Sequence, residues 1–169
     1  MDNFVETDFH TKADIDNDFR RLDEILNSNI FSTANARNPL FQSAFLETLV
    51  RTRDLMRKAE VLVSRISFDD DVIKTEQVKD VTDLITYVRD AMCHPESDKH
   101  FLEPRNIKFA FCVSFGKGTL AKIGDLEIKS EHADDTAFFF GPQRIYLKRH
   151  IIRCIGEART KLAIVKVKK

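Results

Sequence analysis

The short segment Arg89–Pro95 carries the residues whose types and spacing best suit chemistry. Arg89 and His94 stand five positions apart, and Asp90 directly follows the arginine. An imidazole takes up a proton near neutral pH, and a guanidinium stabilises negative charge on a phosphate. These two groups are sufficient to cleave RNA without a metal, with neutral His94 as general base for the 2′-hydroxyl. We therefore predict catalytic roles for Arg89 and His94, an orienting role for Asp90, and no cofactor or metal site.

The structural alternative for this pair is an ordinary helix end. A histidine at the C-terminus of a helix interacts favourably with the helix dipole. An arginine and a histidine at this spacing also occur by chance. The choice between the two interpretations depends on the elements that position the pair.

An amphipathic helix is predicted to carry the pair. Arg89 lies at the border of its apolar stripe, so the stem of the side chain can pack while the head reaches a polar cleft. Pro95 disfavours helical geometry at His94, so the helix should stop there and the imidazole can swing back toward Arg89. The helix starts near Thr75, and its stripe consists of Val78, Val81, Ile85, Val88 and Met92.

Three further helices are predicted. Thr11 and Asp14 suit the cap of a first helix that ends near Asn27. Asn38 and Pro39 suit the start of a long second helix that continues to about residue 67. The last helix buries Leu147, Ile151, Cys154, Ala158 and Leu162, and residues 165–169 after it are predicted to be a frayed basic tail.

The segment from about 106 to 145 has a different composition. It holds four of the five glycines, and apolar residues alternate from Ile107 to Phe115 as in a strand with one buried face. We predict a small antiparallel β-meander inserted before the last helix. The whole chain, residues 1–169, is predicted to be one mainly α domain, an antiparallel four- to five-helix bundle with this β-rich insertion at about 106–145.

The charge balance excludes a strong overall pull toward nucleic acid or membrane, because 27 basic residues match 27 acidic ones. The basic residues concentrate near the C-terminus. Lys148, Arg149 and Arg153 lie mostly on the exposed side of the last helix. A solvated face is the ordinary interpretation there, and an RNA-binding face is the alternative.

The cysteines and the hydropathy pattern indicate the cellular compartment of the protein. Cys93, Cys112 and Cys154 are an odd number at wide spacings, which favours a reducing environment over a disulfide framework. The acidic N-terminus lacks the hydrophobic run of a signal peptide, and no stretch approaches the roughly 20 apolar residues of a membrane span. We predict a cytoplasmic protein without a membrane partner.

Three other constellations are weaker candidates. Cys93, His94 and His100 lack a fourth ligand for zinc. Cys93 and His94 are neighbours whose side chains diverge, unlike those of a cysteine protease dyad. The glycine-rich segment 115–119 lacks the spacing of a phosphate loop and a following helix. None of these is predicted to be a site.

The sequence RDAMCHP at residues 89–95 resembles the motif of HEPN domains, an arginine followed by four to six residues and a histidine. The order of helices, the long second helix and the helix after the motif are similar to that family as well. The resemblance implies a helical bundle that forms a homodimer, with the motifs of two subunits in one cleft. Many members are metal-independent endoribonucleases of toxin–antitoxin and other defence systems. It places Arg89 and His94 in the catalytic pair and Asp90 at the polar third position.

The chain departs from the family pattern in two places. HEPN toxins silenced by adenylylation have a tyrosine two residues after the histidine, where this chain has Glu96. The insertion at about 106–145 is not part of a minimal HEPN bundle. It is either a docking surface for an antitoxin or RNA, or a cover for apolar helix surface, which the phenylalanine alternation favours.

The leading hypothesis is a metal-independent, HEPN-like endoribonuclease that cleaves RNA by 2′-hydroxyl attack and acts as a toxin or defence effector. Its expected partners are RNA, a second copy of the chain, and an antitoxin or other protein partner. The alternative is a non-catalytic HEPN-like interaction module or subunit of a toxin–antitoxin or defence complex. A third hypothesis is an RNA- or nucleotide-binding protein that uses Lys148 and Arg149 of the last helix.

Overall fold

The computed structural model describes residues 4–94, 96–102 and 107–168. In chain order the helices and strands are β1 (Val5–Thr7), α1 (Phe9–Asn27), α2 (Phe41–Leu62), α3 (Val81–Cys93), β2 (Phe101–Leu102), β3 (Ile107–Lys108), β4 (Cys112–Phe115), β5 (Gly118–Ile123), β6 (Leu126–Ser130), β7 (Thr136–Phe140), β8 (Gln143–Tyr146), α4 (Arg153–Leu162) and β9 (Val165–Val167). Short 3₁₀ turns lie at Thr33–Asn35 and Asp98–His100, and a π-helical turn at Leu147–Ile152 precedes α4.

These elements form two compact units. The first contains the residues up to Phe68 and those from Arg153 onward, and the second is Asp69–Ile152. The prediction that the chain is a single domain stays a prediction. No helix in the described part of the chain is long and apolar enough to cross a bilayer.

The first unit is mainly helical. α1 packs against α2, and α2 packs against α4. Each helix buries one apolar stripe, as expected for amphipathic helices. β1 pairs in parallel with β9, with Val5 opposite Val165. The fully buried side chains of this unit include Leu22, Phe45, Leu49, Ala59 and Ala158.

The second unit combines α3 with three small antiparallel sheets. The largest has the strand order β4-β7-β8, β5 and β6 form a hairpin, and β2 pairs with β3. α3 packs against β8. The strands of this unit share a core of Leu102, Ile128, Ala137, Phe139 and Tyr146.

α3 begins at Val81 and not near Thr75 as predicted. Asp80 caps the helix, because its carboxylate accepts a hydrogen bond from the Asp83 N–H at 2.9 Å. Thr75 instead closes a turn, in which its hydroxyl oxygen accepts from the Val78 N–H at 3.1 Å. Apolar residues keep their helical spacing through this turn, so the sequence pattern placed the start of the helix too early.

The predicted fold class, an antiparallel four- to five-helix bundle with one inserted β-meander, is wrong. Among the described residues the strands form four small sheets; one of these lies wholly outside the predicted insertion, and β2 of a second precedes it. That sheet uses Val165 and Val167, whose β-branched side chains suit a strand and not a frayed tail. The alternation from Ile107 to Phe115 also yields two short strands, since Phe111 has a φ of 25° and interrupts the extended backbone.

Candidate functional site

α3 ends at Cys93, and His94 is its C-terminal cap. The His94 N–H donates to the Asp90 carbonyl at 3.0 Å, while the φ of −125° and ψ of 87° of His94 are no longer helical. The helix therefore stops where the sequence predicted. Pro95, the expected cause, lies outside the described residues. The His94 side chain is exposed, so its imidazole is accessible from solvent.

Asp90 lies between two cations at this helix end. Arg89 Nη1 is 2.8 Å from Asp90 Oδ1, and Lys99 Nζ donates to Asp90 Oδ2 at 3.2 Å. The side chains of Arg89, Asp90 and Lys99 are only 24%, 30% and 28% exposed. One carboxylate between two cations leaves an excess of one positive charge, and partial burial strengthens its pull on an anion.

The structure brings the side chains of Asp90 and Arg89 together, whereas His94 reaches Asp90 only through its backbone N–H. Among the described residues the Arg89 guanidinium pairs with Asp90, and no hydrogen bond joins it to the His94 imidazole. A guanidinium has five N–H donors, and the ion pair with Asp90 uses only one end of this fork. Arg89 therefore retains donors for a phosphate while Asp90 fixes its direction.

The 3₁₀ turn Asp98–His100 forms a second side of the site. Tyr87 on α3 donates its hydroxyl hydrogen to the Lys99 carbonyl at 3.2 Å. Burial raises the pKa of Tyr87, so the phenol stays protonated and remains a donor at neutral pH. The Lys99 ammonium also lies 5.1 Å from the centre of the Tyr87 ring. These contacts hold Lys99 at the end of α3.

His100 is the buried histidine of this region, with 4% of its surface exposed. Its Nε2 lies 3.3 Å from the His94 carbonyl oxygen, and its Nδ1 has no hydrogen-bond partner among the described residues. A carbonyl oxygen only accepts, so the contact places the imidazole proton on Nε2. His100 thus stabilises the backbone of His94 and is not itself open to a substrate.

Gly141, in the turn between β7 and β8, packs behind Lys99. Its φ is +50°, and a Cβ at this position would lie 2.2 Å from the Lys99 carbonyl oxygen. Only glycine fits such an approach. The Gly141 N–H also donates to the Phe109 carbonyl at 2.6 Å, and the Phe109 N–H donates to the His100 carbonyl at 2.7 Å. The β7–β8 turn therefore supports the turn that carries Lys99.

The basic residues predicted to bind RNA are already engaged by the protein. The Lys148 ammonium donates to the Asp134 carbonyl, and the Arg149 guanidinium lies 3.0 Å from the Asp134 carboxylate. Arg153 pairs with Glu157 at 3.2 Å. Their role in RNA binding stays a prediction, and the carboxylates reduce the positive charge that they offer to a phosphate.

Lys99 was missed by the sequence reasoning, and His100 was considered there only as a zinc ligand. Lys99 follows the helix end by several residues, and its approach depends on the 3₁₀ turn and on Gly141. The available signal was Ser97, a residue type that often caps helical turns and whose hydroxyl accepts from the Lys99 N–H at 3.3 Å.

No protein-family model, no curated protein and no solved structure matches the chain. The resemblance to HEPN domains therefore stays a prediction that rests on the residues at the end of α3. Within the described ranges, no group of three or more His, Cys, Asp or Glu side chains is arranged to hold a metal ion.

Proposed function

We propose that the protein is a metal-independent endoribonuclease and that the end of α3 is its active site. One observation carries the proposal: an exposed histidine caps the helix whose last turn presents Arg89, and Lys99 adds a second cation through Asp90. An exposed histidine at the end of the helix that carries Arg89, together with two fixed cations, supplies the kinds of group that RNA cleavage requires.

The proposed reaction starts with neutral His94, which takes the proton of a 2′-hydroxyl. The freed oxygen attacks the adjacent phosphorus, and the bond from phosphorus to the 5′-oxygen of the next nucleotide breaks. The products are a 2′,3′-cyclic phosphate and a 5′-hydroxyl. Arg89 and Lys99 stabilise the negative charge that builds on the phosphoryl oxygens, and Asp90 holds both cations in place.

The leaving 5′-oxygen needs a proton, and this requirement supports a homodimer. An imidazolium is the most suitable donor near neutral pH. His100 is buried, and the Tyr87 hydroxyl already donates its hydrogen to the Lys99 carbonyl. Neither side chain is therefore available to the leaving group. We propose that the partner subunit's His94 supplies the proton, with the two helix ends facing one cleft.

A toxin or defence effector with an antitoxin partner is the biological role that we propose for such an enzyme, since unrestrained RNA cleavage would harm the cell that makes it. The cytoplasm is the proposed compartment. Cys93, Cys112 and Cys154 are all free thiols, and Cys93 is exposed, which suits a reducing environment.

A non-catalytic interaction module is the second candidate, and the Arg89–Asp90 pair favours it. Arg89 contacts Asp90 and not His94, so the same residues serve equally well as a fixed polar patch on a binding surface. This candidate predicts stable folding, tight binding to a protein partner and no RNA cleavage.

Expression in a bacterial host separates these two candidates. Wild-type protein should arrest growth, and Arg89→Ala should not, whereas Arg20→Ala, which changes an exposed arginine on α1, should arrest growth like wild type. Purified wild-type protein should also leave 2′,3′-cyclic phosphate ends on RNA in the presence of EDTA. Cleavage that EDTA abolishes, or full activity of Arg89→Ala, would refute the enzyme.

A further inference from the structure

The first unit contains a parallel sheet of only two strands, β1 and β9. Among the described residues these strands pair with each other and with no other strand, in a register that sets Glu6 opposite Lys166. Parallel sheets are normally covered on both faces, and a sheet of two strands is only marginally stable. An outer edge of such a sheet is a template to which a further strand can add.

The backbone of β1 has one edge that faces away from β9. The Val5 N–H and the Thr7 carbonyl bond to the segment 164–168, at 3.0 and 2.8 Å. Both residues therefore direct their backbone groups toward β9. Because the backbone groups of successive residues in a strand point to opposite edges, those of Phe4 and Glu6 point away from β9. Phe4 and Glu6 thus form the outer edge of β1.

Two exposed aromatic residues flank β1 in the chain. Phe4 directly precedes the strand and is 46% exposed, and Phe9, the first residue of α1, is 66% exposed. Glu6 between them is exposed as well. Aromatic side chains are enriched in protein interfaces, where their large apolar surface leaves water. The outer edge of β1 is therefore accessible and has apolar surface to bury.

β9 differs from β1 because it carries lysines. Lys166 on the strand and Lys168 directly after it are both exposed. Lysines on an edge strand oppose the approach of another strand, and two β9 edges side by side would bring four ammonium groups together. Residues 4–7 contain no lysine or arginine. The charges therefore favour β1 over β9 as the edge at which a strand adds.

We propose that two copies of the chain pair through β1, edge to edge and antiparallel, about a two-fold axis at Val5. The combined sheet has the strand order β9-β1-β1-β9, and the lysines lie on its two outer strands. Phe4 of each copy exchanges backbone hydrogen bonds with the partner subunit's Glu6, and the two Val5 side chains lie directly opposite each other. Both copies use the same surface, so the assembly closes at two.

Charge complementarity supports a second copy in this register. Glu6 and Lys166 of one chain are opposite each other but form no ion pair; the Lys166 ammonium lies 3.1 Å from the centre of the Phe4 ring instead. Pairing at Val5 brings the partner subunit's Glu6 beside Phe4, and hence beside that ammonium. A register centred on Glu6 would set two carboxylates directly opposite each other, which is unfavourable.

Disulfide cross-linking of the full chain tests the axis at Val5. Opposed residues of a non-hydrogen-bonded antiparallel pair have Cα atoms about 4.5 Å apart, which suits a disulfide. Val5→Cys should therefore give a covalent dimer on mild oxidation, with the bond between the two introduced thiols confirmed by mass spectrometry. Val167→Cys, on β9, is the matched control and should not cross-link. Both variants also carry Cys93→Ser, since Cys93 is an exposed thiol.

Glu6→Pro tests the strand pairing, because it removes an N–H from the outer edge and leaves the bonds to β9 in place. Proline is tolerated at such edge positions. Sedimentation equilibrium should show a wild-type dimer at about 100 µM chain, since so short an interface is a weak one. Glu6→Pro should weaken dimerisation by at least about 10-fold, because two strand-pairing hydrogen bonds per dimer are lost. Glu6→Gln, which keeps the N–H, should weaken it by no more than about 5-fold.

Three results would overturn the β1 interface: a monomeric wild type at that concentration, equal cross-linking of Val5→Cys and Val167→Cys, or a dimer that folded Glu6→Pro leaves intact. Species larger than a dimer would overturn it too, because they indicate head-to-tail pairing of β1 with β9. The cross-link does not depend on how well a proline variant folds. These assays need no RNA, so a β1 dimer that fails to cleave RNA refutes the endoribonuclease alone, and a dimer that forms without β1 refutes this interface alone.

Discussion

Asp90 links the two cations of the candidate site, because each of its carboxylate oxygens contacts a different one. All three side chains are partly exposed, so the ion pairs add little to folding. Their effect is geometric. Without the carboxylate, Arg89 and Lys99 repel each other and lose the fixed direction that charge stabilisation at a phosphate requires.

Asp90→Asn should therefore lower the rate of RNA cleavage by about 10-fold or more while the free energy of unfolding changes by no more than about 1 kcal/mol. Cleavage kinetics and urea denaturation measure the two quantities. Asp98→Asn is the matched control, since Asp98 is exposed and lies on the neighbouring 3₁₀ turn, and it should cleave like wild type. Full activity of Asp90→Asn would contradict a positioning role.

His150 is the residue that should make folding sensitive to pH. It is fully buried, its Nδ1 accepts from the Tyr146 N–H at 3.0 Å, and its Nε2 lies 3.0 Å from the Asp70 carbonyl. Both contacts fit the neutral ring. Burial lowers the pKa of His150 below its usual value near 6.5.

Because the folded-state pKa of His150 is lowered, the unfolded chain binds the extra proton first as the pH falls. The free energy of unfolding should therefore be constant above pH ~7 and decrease below pH ~6.5, by at most about 1.4 kcal/mol per pH unit from this group. Urea denaturation between pH 7.5 and 5.5 measures the slope, which His150→Gln should flatten. An equal slope in wild type and variant would contradict the assignment.

At the scale of elements, the β7–β8 turn determines where the 3₁₀ turn Asp98–His100 lies. Gly141→Ala puts a Cβ into the Lys99 carbonyl and strains a positive φ, so it should destabilise the protein by at least about 2 kcal/mol. Gly118→Ala is the control, since Gly118 has no positive φ and open space at its Cβ position, and its effect should stay within about 0.5 kcal/mol. Similar urea midpoints for the two variants would contradict this account of the turn.

The end of α3 is the element that the sequence predicted best. Helical spacing through Val88 and the constraint of a proline after His94 are local properties of the chain, so the existence of the helix and its last residue followed from the sequence, whereas its first residue did not. The position of Lys99 did not, because it depends on a hydrogen bond from Tyr87 and on the backbone near Gly141, which are distant in sequence.

The prediction of the fold class was wrong for a related reason. Short strands such as β2 and β3, of two residues each, are too brief to show an alternating pattern. Val165 and Val167 do alternate, but a three-residue strand beside lysines looks like a polar tail until its partner, Val5–Thr7, is known. Strand pairing is a contact between distant parts of the chain. The pattern of residues within one short segment therefore does not predict it.

At the scale of the whole molecule, the proposed mechanism needs two copies of the chain, because each copy exposes one suitable imidazole at the end of α3. Light scattering after size exclusion should give twice the chain mass of 19.5 kDa. The specific activity should also fall on dilution as the dimer dissociates. A monomer that cleaves RNA with a rate proportional to its concentration would contradict the two-subunit site.

The measurement that tests the central claim most directly is the rate of RNA cleavage in EDTA by wild type and by His94→Ala. His10→Ala is the control, since it removes another exposed histidine, on α1. Loss of the general base should reduce the rate by about 100-fold or more, while His10→Ala stays at the wild-type rate. An unchanged rate in folded His94→Ala would contradict the assignment of this helix end as the active site.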